Sequence, residues 1–319
     1  MPITITEPTQ EIMENQDNVN VVLPDNNDNT VMPPSSVPLS PEKQPDSTIY
    51  GLTAAELNDA NSITVTVSDK KAPLIILFGP PACGKTMTLV RMARFLKKEG
   101  YTVSPIRSFR PTEDTNYAYI CEHFDDTMNS NKTASSTDRI SFMLVEVIKN
   151  GRRICQILEA PGEHYFDPTR PNESFPSYVN TIISDNNRKI WTIMVEPNWK
   201  NPTDRLNYVD KIRQLKQKMR STDNVIFVLN KIDLTNFVRG IGNVNTASAL
   251  REVENDYPGI FVPFKNQNPI TRLFKEWNCE FVPFQTGTYK ESSTGLTYQE
   301  GPHEYCVKLW QCIMNKIKG

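Results

Sequence analysis

The sequence predicts an α/β domain with a mostly parallel, doubly wound sheet and one antiparallel hairpin, preceded by a disordered N-terminal tail. Three observations predict it. Leu74–Phe78 is an unbroken apolar run, as expected of a strand covered on both faces. Strand-length apolar runs then alternate with helical patterns to the end of the chain. One pair of runs is joined only by Asn150-Gly151, too short for the crossover a parallel pair needs and well suited to a type I′ turn.

The tail is read from composition. Residues 1–60 hold eight of the 24 prolines and ten acids against one base, Lys43, for a net charge of −9; the other residues carry +7, which gives the −2 of the whole 319-residue chain. A segment so polar buries too little apolar surface to offset its ordering entropy. The stretch Ile49–Asp59, with Leu52, Ala54, Ala55 and Leu57, reads as a linker or as a short helix on a partner. Residues 61–319 form the predicted folded domain, of ordinary size.

The elements follow in order. After the first strand, Met87–Lys98 has the composition of a helix and Gly100 marks its end. Within 101–138, Asp114–Met128 predicts a helix in an insertion. Ile140–Ile148 and Arg152–Leu158 are the hairpin strands, and Lys189–Val195, Asn224–Leu229 and Glu280–Phe284 are later strands. Pro202–Arg220 places Tyr208, Ile212, Leu215 and Met219 on one helical face, and His303–Lys318 does the same with Tyr305, Leu309, Ile313 and Ile317, beside Trp310. Phe-Val-Pro-Phe occurs at 261–264 and again at 281–284, with nothing else repeated around it, so the two copies read as coincidence.

Several classes are disfavoured. No run approaches the ~20 apolar residues of a membrane span. Pro2 stands where myristoylation needs glycine, no lipidation cysteine lies near Gly319, and no leader pattern opens the chain. The six cysteines form no C-x-x-C pair, consistent with free thiols in a reducing cytoplasm. The positive excess of the folded part is too small and unpatterned to indicate nucleic acid. Oligomeric state leaves no signal.

Two motifs carry the chemistry. Gly79-Pro80-Pro81-Ala82-Cys83-Gly84-Lys85-Thr86 fits G-x-x-x-x-G-K-[ST] between a strand and a helix, the context of a phosphate-binding loop. Its backbone N–H groups and the helix dipole face phosphates, Lys85 reaches the β- and γ-phosphates, and the Thr86 hydroxyl ligates Mg²⁺. Asn230-Lys231-Ile232-Asp233 follows the buried strand Asn224–Leu229, at the sheet edge where ligands bind. The Asp233 carboxylate suits the paired N–H donors of a guanine edge and has no match on adenine.

A phosphate loop, a hairpin ending in acid-x-x-Gly (Glu159-Ala160-Pro161-Gly162) and a later N-K-x-D resemble, in that order, the Ras-like and translation-factor branch of P-loop GTPases. The likeness spans roughly residues 73–318. It implies a G domain binding GTP or GDP with Mg²⁺, hydrolysing GTP slowly, and meeting a protein effector or activator through switch segments. It implies that Glu159, where the family usually has Asp, holds Mg²⁺ through water and that the Gly162 N–H senses the γ-phosphate. Asn230 ties its loop to the phosphate loop, Lys231 packs over the base, and Thr286 and Gly287, after the last strand, offer a backbone N–H to the base. The threonine of the first switch falls on Thr137, with Thr133 second. Glu163 stands where the family has its water-orienting residue, and His164 follows it. Arg107 and Arg110 read as solvated charges or as internal arginine fingers. A GTP-binding interaction module with little hydrolysis and a P-loop ATPase or small-molecule kinase are the alternatives.

Overall fold

A computed structural model describes residues 52–129, 141–197, 199, 201–292 and 295–318. A first helix, α1 (Ala54–Asn58), leads to β1 (Leu74–Phe78) and α2 (Lys85–Lys98). Next come β2 (Thr102–Pro105), α3 (Thr115–Glu122), α4 (Phe124–Asn129), and the hairpin of β3 (Met143–Lys149) and β4 (Arg152–Glu159). The second half runs through α5 (Gly162–Tyr165), α6 (Ser177–Ser184), β5 (Lys189–Val195), α7 (Pro202–Lys218) and β6 (Asn224–Leu229). It ends with a small ribbon of β7 (Val238–Gly240) and β8 (Asn243–Val244), then α8 (Thr246–Asp256), α9 (Pro269–Phe274), β9 (Glu280–Pro283), the hairpin of β10 (Gly287–Ser292) and β11 (Gly295–Glu300), and α10 (His303–Lys318).

The main sheet has the order β2-β3-β4-β1-β5-β6-β9. β4, β1, β5, β6 and β9 are parallel neighbours, so their carboxyl ends share one edge. β1 lies where the chain goes first to one side of the sheet and then to the other, the position at which open α/β sheets bind ligands. All residues of β1 and β5 are buried, as their apolar runs require. Asn150 and Gly151 take φ of +51° and +72°, the paired left-handed conformation of a type I′ turn.

Three features depart from the sequence expectations. The antiparallel part is larger than one hairpin, because β2 adds a second antiparallel ladder outside β3. The insertion holds two short helices, α3 and α4, where one was expected. Residues 52–60, placed in the tail by composition, belong to the folded unit: Leu52 joins the core at 2% exposure, and Leu57 and Ala60 pack against it. α1 carries a capping box, in which the Thr53 N–H donates to Glu56 at 2.9 Å and the Glu56 N–H to the Thr53 hydroxyl at 3.3 Å. Thr53-x-x-Glu56 is the sequence signal that predicts this helix. The two Phe-Val-Pro-Phe copies adopt different structures, a 3₁₀ turn at 262–264 and strand β9. Tertiary context decides between them.

α2 packs beside α10, and the second hairpin is fastened to α2 through Glu300. Glu300 accepts from Arg91 at 2.7 Å and from Lys98 at 3.0 Å, while Arg91 also donates to the Gly301 carbonyl at 2.6 Å. No helix among the described residues is long and apolar enough to cross a membrane.

Candidate nucleotide-binding site

Five loops at the carboxyl edge build the site. The chain leaves β1 at Gly79, turns through Ala82 (φ +60°) and Gly84 (φ +92°), and enters α2 at Lys85. The first α-helical bond here runs from the Thr88 N–H to the Gly84 carbonyl, so the N–H groups just before Thr88 lack helical partners and face outward at the helix's positive end. Pro80 and Pro81 have no N–H, which confines the free N–H donors of this turn to its half from Ala82 onward. Their part is different: Lys85 curls back to donate to the Pro80 carbonyl at 3.1 Å and is 5% exposed. Cys83 is fully covered, and burial pushes its thiol up to about 11.

β4 delivers Glu159 beside the start of α2. The Thr86 hydroxyl donates to Glu159 Oε1 at 2.8 Å, and Glu159 Oε2 is buried without a partner. Burial drives the carboxyl up to about 8, against the opposing pull of Lys85 and the Thr86 bond, with Glu163 adding to the rise. A hydroxyl and a carboxyl side by side, one oxygen orphaned, are the hard oxygen donors a Mg²⁺ ion takes when most of its other ligands are water and phosphate, and a cation there would favour the ionised carboxylate. These residues fit that ion.

Gly162 opens α5 directly against the phosphate loop. A Cβ there would lie 2.5 Å from the Pro80 carbonyl carbon and 2.6 Å from Pro81 Cα, so only glycine allows this approach. Glu163 is half-buried. His164 is engaged elsewhere: its Nδ1 lies 2.8 Å from the Tyr178 hydroxyl on α6, and the two rings meet edge to face at 5.5 Å. Burial lowers its pKa to about 4, with Lys85 and Arg170 contributing. The imidazole is therefore neutral at pH 7 and committed to α6, which departs from a free water-orienting residue.

This commitment has a measurable sign. Between pH 6.5 and 4 the unfolded chain binds a proton at His164 that the folded chain refuses, so stability falls as pH falls through that window. Relative to His164→Gln, the wild type is expected to lose about 2 kcal/mol between pH 7 and pH 5. Urea denaturation of both at the two pH values measures it, and parallel losses would contradict the assignment.

β6 supplies the third loop. Asn230 is 1% exposed and its Nδ2 donates to the Cys83 carbonyl at 2.9 Å, joining this loop to the phosphate loop across the sheet edge. Lys231 takes the left-handed conformation (φ +55°) and pairs with Glu196 at the end of β5. Asp233 lies exposed in a 3₁₀ turn, with its carboxylate open to a ligand. The loop after β9 is tied to this turn, since the Ile232 N–H donates to the Phe284 carbonyl at 3.2 Å and the Phe284 N–H to the Leu229 carbonyl at 2.8 Å. Thr286 and Gly287 are held in place there. The Thr286 carbonyl accepts from the Tyr298 hydroxyl at 2.6 Å, and a Cβ on Gly287 would strike the Tyr298 ring.

The structure thus brings Gly79–Thr86, Glu159, Gly162, Asn230, Lys231 and the 285–287 loop to one edge. Thr137 and Thr133 lie outside the described residues. Arg110 is neither a solvated charge nor a finger: it is 4% exposed and held by Glu56 at 2.6 Å and Asp114 at 2.9 Å. Arg107 lies on the surface near Glu122. Glu196, Tyr298 and Glu300 escaped sequence reading, because each acts through a partner far away in the chain and belongs to no local motif.

No family model and no curated protein matches the chain. Among solved structures it is similar to nucleolar GTP-binding protein 1 from Plasmodium falciparum, at 13% identity over 80% of this chain and 90% of that one, with a TM-score of 0.35. It is also similar to a chain of the signal recognition particle receptor SRb-GTP/SRX complex from Chaetomium thermophilum, at 13% identity over 77% and 98%, with a TM-score of 0.39. A third is the S. cerevisiae Ski7 GTPase-like domain bound to GTP, at 13% identity over 80% and 53%, with a TM-score of 0.41. Strand order, the loop after β1 and the hairpin before Glu159 themselves make the fold an α/β domain with a mostly parallel seven-stranded sheet and a strand–loop–helix turn at its switch point.

Proposed function

We propose that this chain is a guanine-nucleotide-binding switch that holds GTP or GDP with Mg²⁺ and hydrolyses GTP slowly without a partner. The observation that carries the reading is the Asn230–Cys83 bond of 2.9 Å. It fixes a loop suited to guanine against a loop suited to phosphate, so one ligand can engage both.

Lys85 and the N–H groups around the start of α2 bind the phosphates. Asp233 accepts from the guanine edge, and Lys231 covers the base. Thr86 and Glu159 would hold Mg²⁺, directly or through water, and the ion, when bound, offsets the charge on the β- and γ-phosphates. Gly162, pressed on Pro80 and Pro81, is placed to report a γ-phosphate with its N–H, and α5 would move with it. The first-switch role remains with Thr137 and the water-orienting role with Glu163 or His164. His164 would have to leave Tyr178 to act, which supports slow intrinsic turnover and a protein activator. The same observation favours a second reading, an interaction module that binds GTP and barely hydrolyses it. The domain is taken to begin no later than Leu52, and its compartment is proposed as cytoplasmic.

Equilibrium titration with fluorescent GTP, GDP and ATP, with and without Mg²⁺, tests the reading. ATP is expected to bind on the order of a hundredfold or more weaker than GTP, because a site built to hydrogen-bond guanine leaves those groups unpaired with adenine. Equal affinity for ATP would sink the base assignment. Single-turnover hydrolysis then separates the two readings: a slow but finite rate supports the switch, and none supports the interaction module.

A further inference from the structure

We infer that Glu196 is a positioning residue for the base: it holds the Lys231 ammonium so that the lysine stem stands as a preformed wall of the guanine pocket. The inference rests on the guanine-site reading above and adds a residue that no motif contains.

Both ends of the pair are anchored through the backbone. Glu196 directly follows β5, and its carbonyl accepts from the Tyr257 hydroxyl at 2.9 Å; Tyr257 is fully buried. Lys231 follows Asn230, whose N–H donates to the Val195 carbonyl at 2.9 Å. The residues before Glu196 and Lys231 are thus bonded directly, and the left-handed turn at Lys231 aims its side chain. The Lys231 ammonium then closes on Glu196 Oε2, with the carboxylate side chain 14% exposed and the lysine side chain 35% exposed.

A lysine stem has four rotatable bonds, and a ligand that packs on a free one must order it on binding. A partner at the ammonium end does this ordering beforehand, so the nucleotide does not bear the cost. The partial exposure of the pair makes the direct Coulomb gain modest, so ordering is the main effect. Since base contacts are common to GTP and GDP, both should respond equally. A contact to phosphate would separate them.

The test is a double-mutant cycle on the full chain, reading fluorescent GTP and GDP affinity at about 0.15 M salt. Glu196→Gln is isosteric and is expected to weaken both nucleotides by the same factor, about threefold to tenfold. Removing the carboxylate also makes the site more positive, which favours a polyanion, and the cycle separates this effect. In a Lys231→Met background the ordering role is gone and only the charge effect survives, so the same substitution is expected to weaken nothing. Glu196→Asp, which keeps the charge on a shorter stem, is expected to recover part of the loss. An equal loss whether Lys231 is present or replaced by methionine would show that Glu196 acts through Tyr257 alone and overturn the inference, as would unchanged affinity in Glu196→Gln. A wild-type chain that binds GTP no better than ATP overturns the guanine reading itself, and that outcome is visible before any variant is made.

Discussion

Gly84→Ala is expected to weaken GTP and GDP binding by about a hundredfold and to destabilise the domain as well. Two costs add. Gly84 sits at φ +92°, where an L side chain costs about 1–2 kcal/mol. The new methyl would also overlap Asn230 Nδ2, whose bond to the Cys83 carbonyl joins the two ligand loops. Asn230 is buried and its Oδ1 already lacks a partner, so it cannot retreat into water. Losing a buried hydrogen bond costs a further 1–3 kcal/mol; because both costs fall in the loop that would hold the ligand, the nucleotide has to restore its geometry on binding, and a total near 3 kcal/mol is about two decades in affinity. Gly151→Ala is the matched control. Its φ is +72°, but a Cβ there meets nothing within 4 Å. It should cost about 1–2 kcal/mol of stability through the hairpin turn and leave affinity unchanged. Nucleotide titration and thermal unfolding of both variants provide the comparison. Wild-type affinity in Gly84→Ala would mean that the two loops do not work as one site.

The contrast between these glycines mirrors what the sequence could reveal. Local chemistry was legible. Asn150-Gly151 announces its own turn, Leu74–Phe78 its burial, and Gly79–Thr86 its loop, because each is a statement about neighbouring residues. The i, i+4 apolar stripe of α10 predicted its limits for the same reason. The side-chain partners were not legible. Lys231 is visible in a motif, whereas Glu196 is a single acid after a strand, and only the parallel pairing of β5 with β6 puts them together. Glu300 likewise gains meaning only when β11 returns to α2.

Short edge elements were hidden for a different reason. β2 has four residues and ends in proline, so its apolar content is too small for a periodic signal, and its antiparallel pairing with β3 makes it a strand. Composition misled at residues 52–60. Averaged over the acidic stretch before them they look unable to fold, yet Leu52 reaches the core, and Glu56 serves there as a buried counter-ion. An acid counted as evidence for a solvated tail was evidence for a partner, Arg110, 54 residues away.

That partnership yields the other large effect. Arg110→Met is expected to destabilise the domain by about 3–5 kcal/mol, because it strands two buried carboxylates, Glu56 and Asp114. For a domain of this size such a loss lowers Tm by about 10 °C. The guanidinium also donates to the Thr64 carbonyl at 2.7 Å, so it fastens both α1 and the segment after it to the insertion. The pH dependence follows from Glu56. Burial pushes its carboxyl up, but the bonds from Arg110 and Thr53 outweigh burial and leave it below the ordinary 4.5. A carboxyl depressed in the folded state contributes stability above the unfolded value, and this is lost as pH falls through the lower folded one. The gap between wild type and Arg110→Met should therefore be full at pH 7 and narrow below about pH 4. Calorimetry across that range measures both the gap and its narrowing. A Tm change of only about 2 °C at pH 7, under 1 kcal/mol, would place the pair among weak surface bridges and return α1 to the tail. A large change would make α1 a structural part of the domain, fastened through Arg110 to the insertion.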